Sequence, residues 1–349
     1  MAVAERDWAR RLGAVLLGLA LLAPVVVLGL VAAGDKSDAR EAVEQQRRGV
    51  TYLRPLSALI GALVAGQTAA VRGEPVDTAS IRAALDATER AQLRDGAALS
   101  TGTRWTEVRD RAGALLDQPG ARGAEAFQRW SSAVDSTRAL ASRVGDTSGL
   151  ILDPALDVRY LVDANLLYLP TVLIGAGLIT DVVTIGGSEP AEADQTRISL
   201  TRYEVASAAG DVDTAIGKAI DETGNRRTPT ALLGPYDQFK AAVNALAPAI
   251  DLMALPPLPG NVLAASVGVR VATTALSEAI WTELTALLRE RDDRLGDRQL
   301  WIYGAAAFGV LVVLTAATVL WRRRRPQVVA PTQLELPQAP RPLMGSGVR

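Results

Sequence analysis

The chain has 349 residues, no cysteine and no histidine, and 37 Lys and Arg against 38 Asp and Glu. Without Cys there is no disulfide framework, thiolate metal site or cysteine nucleophile. Without His there is no Ser-His-Asp catalysis, His-based zinc chemistry or axial-His haem. Aromatics make up 4% of the residues and the net charge is −1, so neither base stacking nor long-range attraction favours nucleic acid as a partner.

Two uncharged runs set the expected topology. Residues 1–11 carry Arg6, Arg10 and Arg11, and Leu12 to Ala33 then form an uncharged stretch. A helix of about 20 apolar residues crosses a hydrocarbon core, so residues 12–34 are predicted to be a first transmembrane helix, with Pro24 inside it. Val31-Ala32-Ala33 resembles a signal-peptidase site, but a signal peptide's apolar region is about 7–15 residues, and this run is longer. An uncleaved anchor is the better reading. Residues 301–321 form a second uncharged run, bounded by Trp301 and Trp321 in the manner of an interfacial aromatic belt. Arg322 to Arg325 follow it. The tail, residues 322–349, contains six Arg and one Glu and is rich in proline, including a Pro337-Gln338-Ala339-Pro340 match to PxxP. The positive-inside rule places this tail, and with it the N-terminus, in the cytoplasm of a cell whose plasma membrane holds the protein. Residues 35–300 are then extracytoplasmic.

That outer segment reads as all-α. Strand signals are nearly absent, and helical spacing and punctuation dominate. Helices are predicted from Asp35 to Arg72, Thr78 to Leu99, Trp105 to Asp117 and Gly123 to Val144. In the last of these, Phe127, Trp130, Val134 and Arg138 recur at helical spacing. Asp153-Pro154 predicts a helix start, with Asp as the N-cap and proline at the first helical position. This helix reaches Thr184, is expected to bend at Pro170, and has Leu156, Tyr160, Leu167 and Val172 as its core stripe. Further helices are predicted from Ala191 to Glu222, from Thr228 to Leu252 and from Asn261 to Gln299. The last leads directly into the second span. The predicted fold class is therefore all-α: two transmembrane helices flanking an elongated helical-bundle ectodomain, too long for one simple four-helix bundle and better served by two stacked or pseudo-continuous ones.

Little catalytic chemistry is available, and an enzyme is not expected. Asp153, Asp157 and Asp163 cluster on one helix, and Asp153 and Asp157 share a face. A capping role and local ion pairing account for them better than acid–base catalysis or cation binding. Gly175-Ala176-Gly177 lacks the lysine and preceding strand of a phosphate loop and suits close helix packing instead. No metal or cofactor is expected. The arginines Arg54, Arg82, Arg159 and Arg202 sit on helices among apolar neighbours, and an arginine fork can grip a small planar anion. Arg159 and Arg202 each adjoin a tyrosine, which makes Arg159, Tyr160, Arg202 and Tyr203 the candidate ligand-binding residues.

The run from Gly149 to Ala164, with Leu152-Asp153-Pro154-Ala155-Leu156-Asp157, Tyr160-Leu161 and Asp163, followed by Leu169-Pro170, resembles a pattern in the helical extracytoplasmic sensor regions of bacterial transmembrane receptors. These are the methyl-accepting chemotaxis proteins and sensor kinases. The flanking spans match that layout. Such receptors usually follow the second span with a HAMP linker and an output domain, and the residues after Trp321 are too few to form either. The resemblance implies a homodimeric sensor-like protein. It would bind a small molecule or partner outside the cell and relay the event through two membrane helices to a separate cytoplasmic or membrane partner. The alternative is a structural or accessory membrane protein whose helical rod binds another envelope protein.

Overall fold

The computed structural model describes residues 38–118, 120–187, 191–223, 227–250 and 258–323, over the backbone alone for most of the stretch after Arg294. The predicted span at 12–34 and the tail from 324 lie outside these residues. Compactness divides the chain into two units, Val31–Arg298 and a second made of Met1–Leu30 with Gln299–Arg349. Of the second unit, the described part is the helical backbone from Gln299 to Arg323.

Among the described residues there are helices and no strands. They are α1 (Asp38–Arg72), α2 (Thr78–Asp95), α3 (Gly102–Asp117), α4 (Gly123–Thr147), α5 (Leu156–Asp163), α6 (Leu169–Gly186), α7 (Glu192–Glu222), α8 (Arg227–Ala249) and α9 (Pro259–Arg323). A 3₁₀ turn (Leu150–Leu152) precedes α5, and a π turn (Ala164–Tyr168) joins α5 to α6. Three helices are long and apolar enough to cross a membrane by length and composition: Asp38–Arg72, Leu156–Gly186 and Pro259–Arg294. These candidate spans support membrane association.

Within unit 31–298, α1 is the shared element. It runs antiparallel to α2, where the Tyr52 hydroxyl donates to Gln92 at 2.7 Å and the Thr101 hydroxyl donates to the same oxygen. It runs antiparallel to α4, where Ser131 donates to Gln67. It also runs antiparallel to α9, where Arg47 donates to Asp292 at 3.1 Å and Arg54 pairs with Glu278. It is parallel to α6, against which Gln67 meets Asp181 and Val64 meets Gly177. The helices from α1 to α4 and those from α5 to α9 therefore lie side by side along α1 rather than end to end.

Glycines set these distances. A Cβ on Gly66 would stand 2.4 Å from the Trp130 ring, one on Gly175 2.5 Å from Val205, and one on Gly177 2.7 Å from Val64. The Gly175-Ala176-Gly177 segment is thus a packing surface, as its sequence suggests. It lets α6 close on α7 and α1, while Ser266 of α9 donates to the Ala176 carbonyl at 3.1 Å. α6 is apolar on nearly every side because neighbours cover nearly every side. Gly73 ends α1 at φ +72°, a backbone conformation that residues with a Cβ rarely adopt.

Two expectations need correction. Asp153-Pro154 does not start a helix, since α5 begins at Leu156 with Ala155 in the cap position. The Asp153 carboxylate instead accepts from the Ala155 N–H at 2.7 Å and from Arg291 of α9 at 2.7 Å, and is buried. A long-range partner outcompetes the local cap. The expected core stripe of Leu156, Tyr160, Leu167 and Val172 also fails. Val172 is fully buried, but Leu156 and Leu167 are 43% and 44% exposed and Tyr160 is half-buried. Leu156 and Tyr160 precede the π turn, and the buried set keeps three- and four-residue spacing through it, so the expected stripe lies on a neighbouring, outward face of the same helix. The buried positions are Val158, Leu161, Val162, Asn165, Leu169 and Val172. Pro170 explains the irregularity, because it has no N–H to offer the Leu166 carbonyl one turn back. In α4, Trp130 and Val134 are buried as expected, whereas Arg138 faces solvent and Thr137 takes the inner position.

The glycine geometry predicts opposite outcomes for two substitutions. Gly66→Val should drive a methyl into the Trp130 ring and lower stability by about 2 kcal/mol or more. Gly210→Ala, on α7 with open space around its Cα, should raise stability by about 0.5–1 kcal/mol through helix propensity alone. Thermal melts of the two variants beside the parent chain measure both.

Candidate functional site

A cavity of about 130 Å³ opens between α1, the π turn with α6, and α9. From α1 come Arg54, Ser57, Ala58 and Ile60. The π turn and α6 supply Asn165, Leu169, Pro170 and Leu173. From α9 come Thr273, Thr274, Ser277, Glu278 and Trp281. Each element presents these residues for a local reason. Thr273, Ser277 and Trp281 are four apart and fall on one face of α9. Asn165 sits in the π turn, whose widened register points it at α9, and its amide nitrogen donates to the Ser277 carbonyl at 3.1 Å. Trp281 donates through its indole N–H to the Ser57 hydroxyl at 3.3 Å, and that hydroxyl donates to Leu53 O.

Two oxygens in this wall have no partner. Asn165 Oδ1 and Thr273 Oγ1 are buried and make no hydrogen bond. Their residues are 1% and 3% exposed. The Thr273 case stands out against its neighbours. Thr274 donates back to Arg270 O and Thr285 to Trp281 O, the usual arrangement for a helical threonine, and Thr273 makes no such bond. At the rim, Arg54 meets Glu278 with both its Nε and its Nη2, the Nε contact at 3.0 Å, and both side chains are about half exposed.

The residues singled out from sequence lie elsewhere. Arg159 is exposed. Tyr160 is half-buried beneath Lys218 of α7, whose ammonium stands 5.2 Å from the ring centre. Arg202 is exposed and Tyr203 is 72% exposed. α5–α6 and α7 are antiparallel, so Tyr160 packs near Lys218 while Arg202 and Tyr203 sit level with Gly175. At 1.5 Å per residue the two pairs are roughly 24 Å apart along α7 and form no common site. Of the four arginines, Arg54 is the one that lines the cavity, and Arg82 is exposed on α2. Asn165, Thr273, Ser277 and Trp281 went unread. The signal for them was a polar stripe at i, i+4 and i+8 on the last helix, facing an asparagine in an otherwise apolar run.

Other buried polar groups pair structurally. Glu283 of α9, 2% exposed, accepts from the Thr228 hydroxyl at 2.7 Å and from Arg227 at 3.3 Å. Asp157 accepts from the Val158 N–H, and Asp153 is held by Arg291, so these two carboxylates have separate partners. Among the described residues no group of three or more His, Cys, Asp or Glu is arranged to hold a metal ion.

Asp181 is different. It is fully buried on α6, accepts from Gln67 at 2.7 Å through one oxygen, and leaves the other without a partner. Burial pushes its carboxyl up to about 6, against the opposing pull of Gln67, the Thr68 hydroxyl and the Arg72 charge.

Comparison of the chain with protein-family models, curated proteins and solved structures gives no match.

Asp181 makes a pH prediction. Its folded pKa lies above its unfolded value of 3.8. The stability carried by the protonated carboxyl is therefore full below about pH 4 and is lost as pH rises through about 6. The cost at pH 7 is about 3 kcal/mol. Asp181→Asn should abolish this slope and melt higher than the parent at pH 7. Melting temperatures from pH 4 to 8 for both chains measure it.

Proposed function

We propose that the chain is a membrane-anchored, sensor-like protein. Residues 12–34 and 301–321 span the plasma membrane, both termini are cytoplasmic, and residues 35–300 are extracytoplasmic. It binds a small molecule or a partner outside the cell as a homodimer and passes a small helix displacement to a separate output partner. The observation that carries this reading is the cavity between α1 and α9, because in sequence α1 follows the first uncharged run and α9 contains the second. A group bound between these helices changes their mutual fit, and displacements of about 1–2 Å between packed helices are an established mode of relay.

The choice of spans rests on where charge is tolerated. On α1 and α9, the pairs Arg54–Glu278 and Arg47–Asp292 face outward, with side chains 37–52% exposed. Charged side chains on a lipid-facing surface are costly, and water suits these two helices better. The length and composition of α6 are accounted for by the helices that surround it. The runs at 12–34 and 301–321 carry no charge.

Since the chain has no cysteine, single introduced thiols report topology without background. Ser199→Cys on the exposed face of α7 should react with a membrane-impermeant maleimide in intact cells. Ser346→Cys in the tail should react only after lysis. Labelling of both, or of neither, in intact cells overturns the topology.

A further inference from the structure

We propose that the signal this protein receives is the proton, and that Asp181 of α6, with Gln67 and Arg72 of α1, receives it: a neutral carboxyl seats α6 on α1, and an ionised one draws Arg72 off Glu74 and shifts the turn between α1 and α2. The assignment rests on the sensor reading only for the side of the membrane from which the protons come. Packing comes first. Gly177 lets α6 lie on Val64 of α1. One turn further along, the same closeness brings Asp181 against Gln67, and the two residues are 0% and 6% exposed. The Gln67 amide is held at both ends. Its nitrogen donates to Asp181 Oδ2 at 2.7 Å, and its oxygen accepts from the Ser131 hydroxyl of α4 at 3.4 Å.

A carboxyl in this place has two states with different needs. Neutral, it keeps the Gln67 bond and carries no charge into the interior. Ionised, it has Oδ2 served by Gln67 and Oδ1 without a partner, and a buried charge short of donors is costly. The cation that answers it is Arg72. The Arg72 Nε is buried and makes no hydrogen bond, while its Nη2 pairs with Glu74. The other charges near this level are Arg122, which lies against Gly73, Arg129 of α4, paired with Glu125, and Asp194 and Arg197 of α7, the latter over the Phe127 ring at 4.9 Å. α9 carries no charge from Pro259 to Val269. Of these groups and Arg72, it is Arg72 whose charge acts on the Asp181 carboxyl. Arg72 adjoins Gly73, where α1 ends, so moving its side chain from Glu74 to Asp181 acts on the turn into α2. Burial lifts the carboxyl up to about 6, so the proton is held in mildly acidic surroundings and lost in neutral ones, where an ordinary aspartate is charged throughout.

The test uses the full-length chain in lipid nanodiscs, titrated from pH 4 to 8, with two readouts. One is the infrared carbonyl band of a protonated carboxyl. The other is the distance between spin labels at Ala79→Cys on α2 and Ile185→Cys on α6, both exposed, with labelled chain diluted in unlabelled chain. Loss of the band and a distance change of about 1–2 Å should share one midpoint near pH 6. Asp181→Asn keeps an acceptor for Gln67 and carries no charge. It should lose the band and hold the low-pH distance at every pH. Arg72→Gln should keep the band, raise its midpoint by about one pH unit and abolish the distance change. Absence of an Asp181 band that titrates in this range overturns the proposal. Titration at an unchanged distance overturns it too, and leaves the pair as packing. A distance change that persists in Asp181→Asn or Arg72→Gln belongs to another group and overturns it as well. Outward labelling of Ser199→Cys with an unchanged distance removes the switch and keeps the topology. A distance change in a chain whose Ser199→Cys reacts only after lysis keeps the switch and removes the topology.

Discussion

A helix with no polar face has to be surrounded, and α6 imposes this on the whole domain. Its residues from Leu169 to Val183 are buried or nearly so, and α1, α4, α7 and α9 supply the cover. Close approach is possible because Gly175 and Gly177 remove the side chains that would hold α7 and α1 away. Burial of this kind is the main favourable term in folding. Polar groups carried into the interior by the same closeness pair where they can, Gln67 with Asp181 and the Asn165 amide nitrogen with the Ser277 carbonyl, and Asn165 Oδ1 and Thr273 Oγ1 are left without a partner.

Pro170 shapes the wall of the candidate site within this packing. Its missing N–H is accommodated by the π turn from Ala164 to Tyr168, which changes the face that α5 and α6 present to their neighbours. Had the helix continued in α register, Asn165 would point elsewhere and the wall against α9 would close differently. Irregular helical turns recur at binding sites for this reason: the extra residue spoils one packing surface and opens another.

Much of the architecture was legible in the sequence because helix periodicity and stop signals are local. The ends of α1 and α3 at Gly73 and Gln118, and the glycine packing segment in α6, follow from neighbouring residues alone, whereas α2, expected to reach Leu99, stops at Asp95. The errors came where a distant residue overrode a local preference. Asp153 reads as a helix cap until Arg291, 138 residues on, takes its carboxylate. The core stripe read through Leu156 and Leu167 fails because the buried face, through Val158, Leu161, Asn165 and Leu169, carries the same helical spacing a position or two away. The candidate site was legible in one residue, Arg54. Its other walls come from three chain segments that only the tertiary fold juxtaposes, so no local pattern could assemble them. The tyrosine beside each of Arg159 and Arg202 carried no such information, since adjacent residues on a helix point in different directions.

The pairing of α1 with α9 has a consequence for biogenesis. Arg47 and Asp292 are separated by 245 residues, and α1 meets α9, the last of the helices that pack on it, only when the chain is nearly finished. At synthesis rates of about 5–20 residues per second, the apolar face of α1 waits roughly 12–50 s for its partner. Over that interval the side of α1 that carries Arg54, Ser57 and Gly61 waits for α9. The α1–α4 group can form early and shield part of that surface, but its remaining face has to be kept from aggregating until α9 arrives. The helix made last is thus the one that completes the cover of α1.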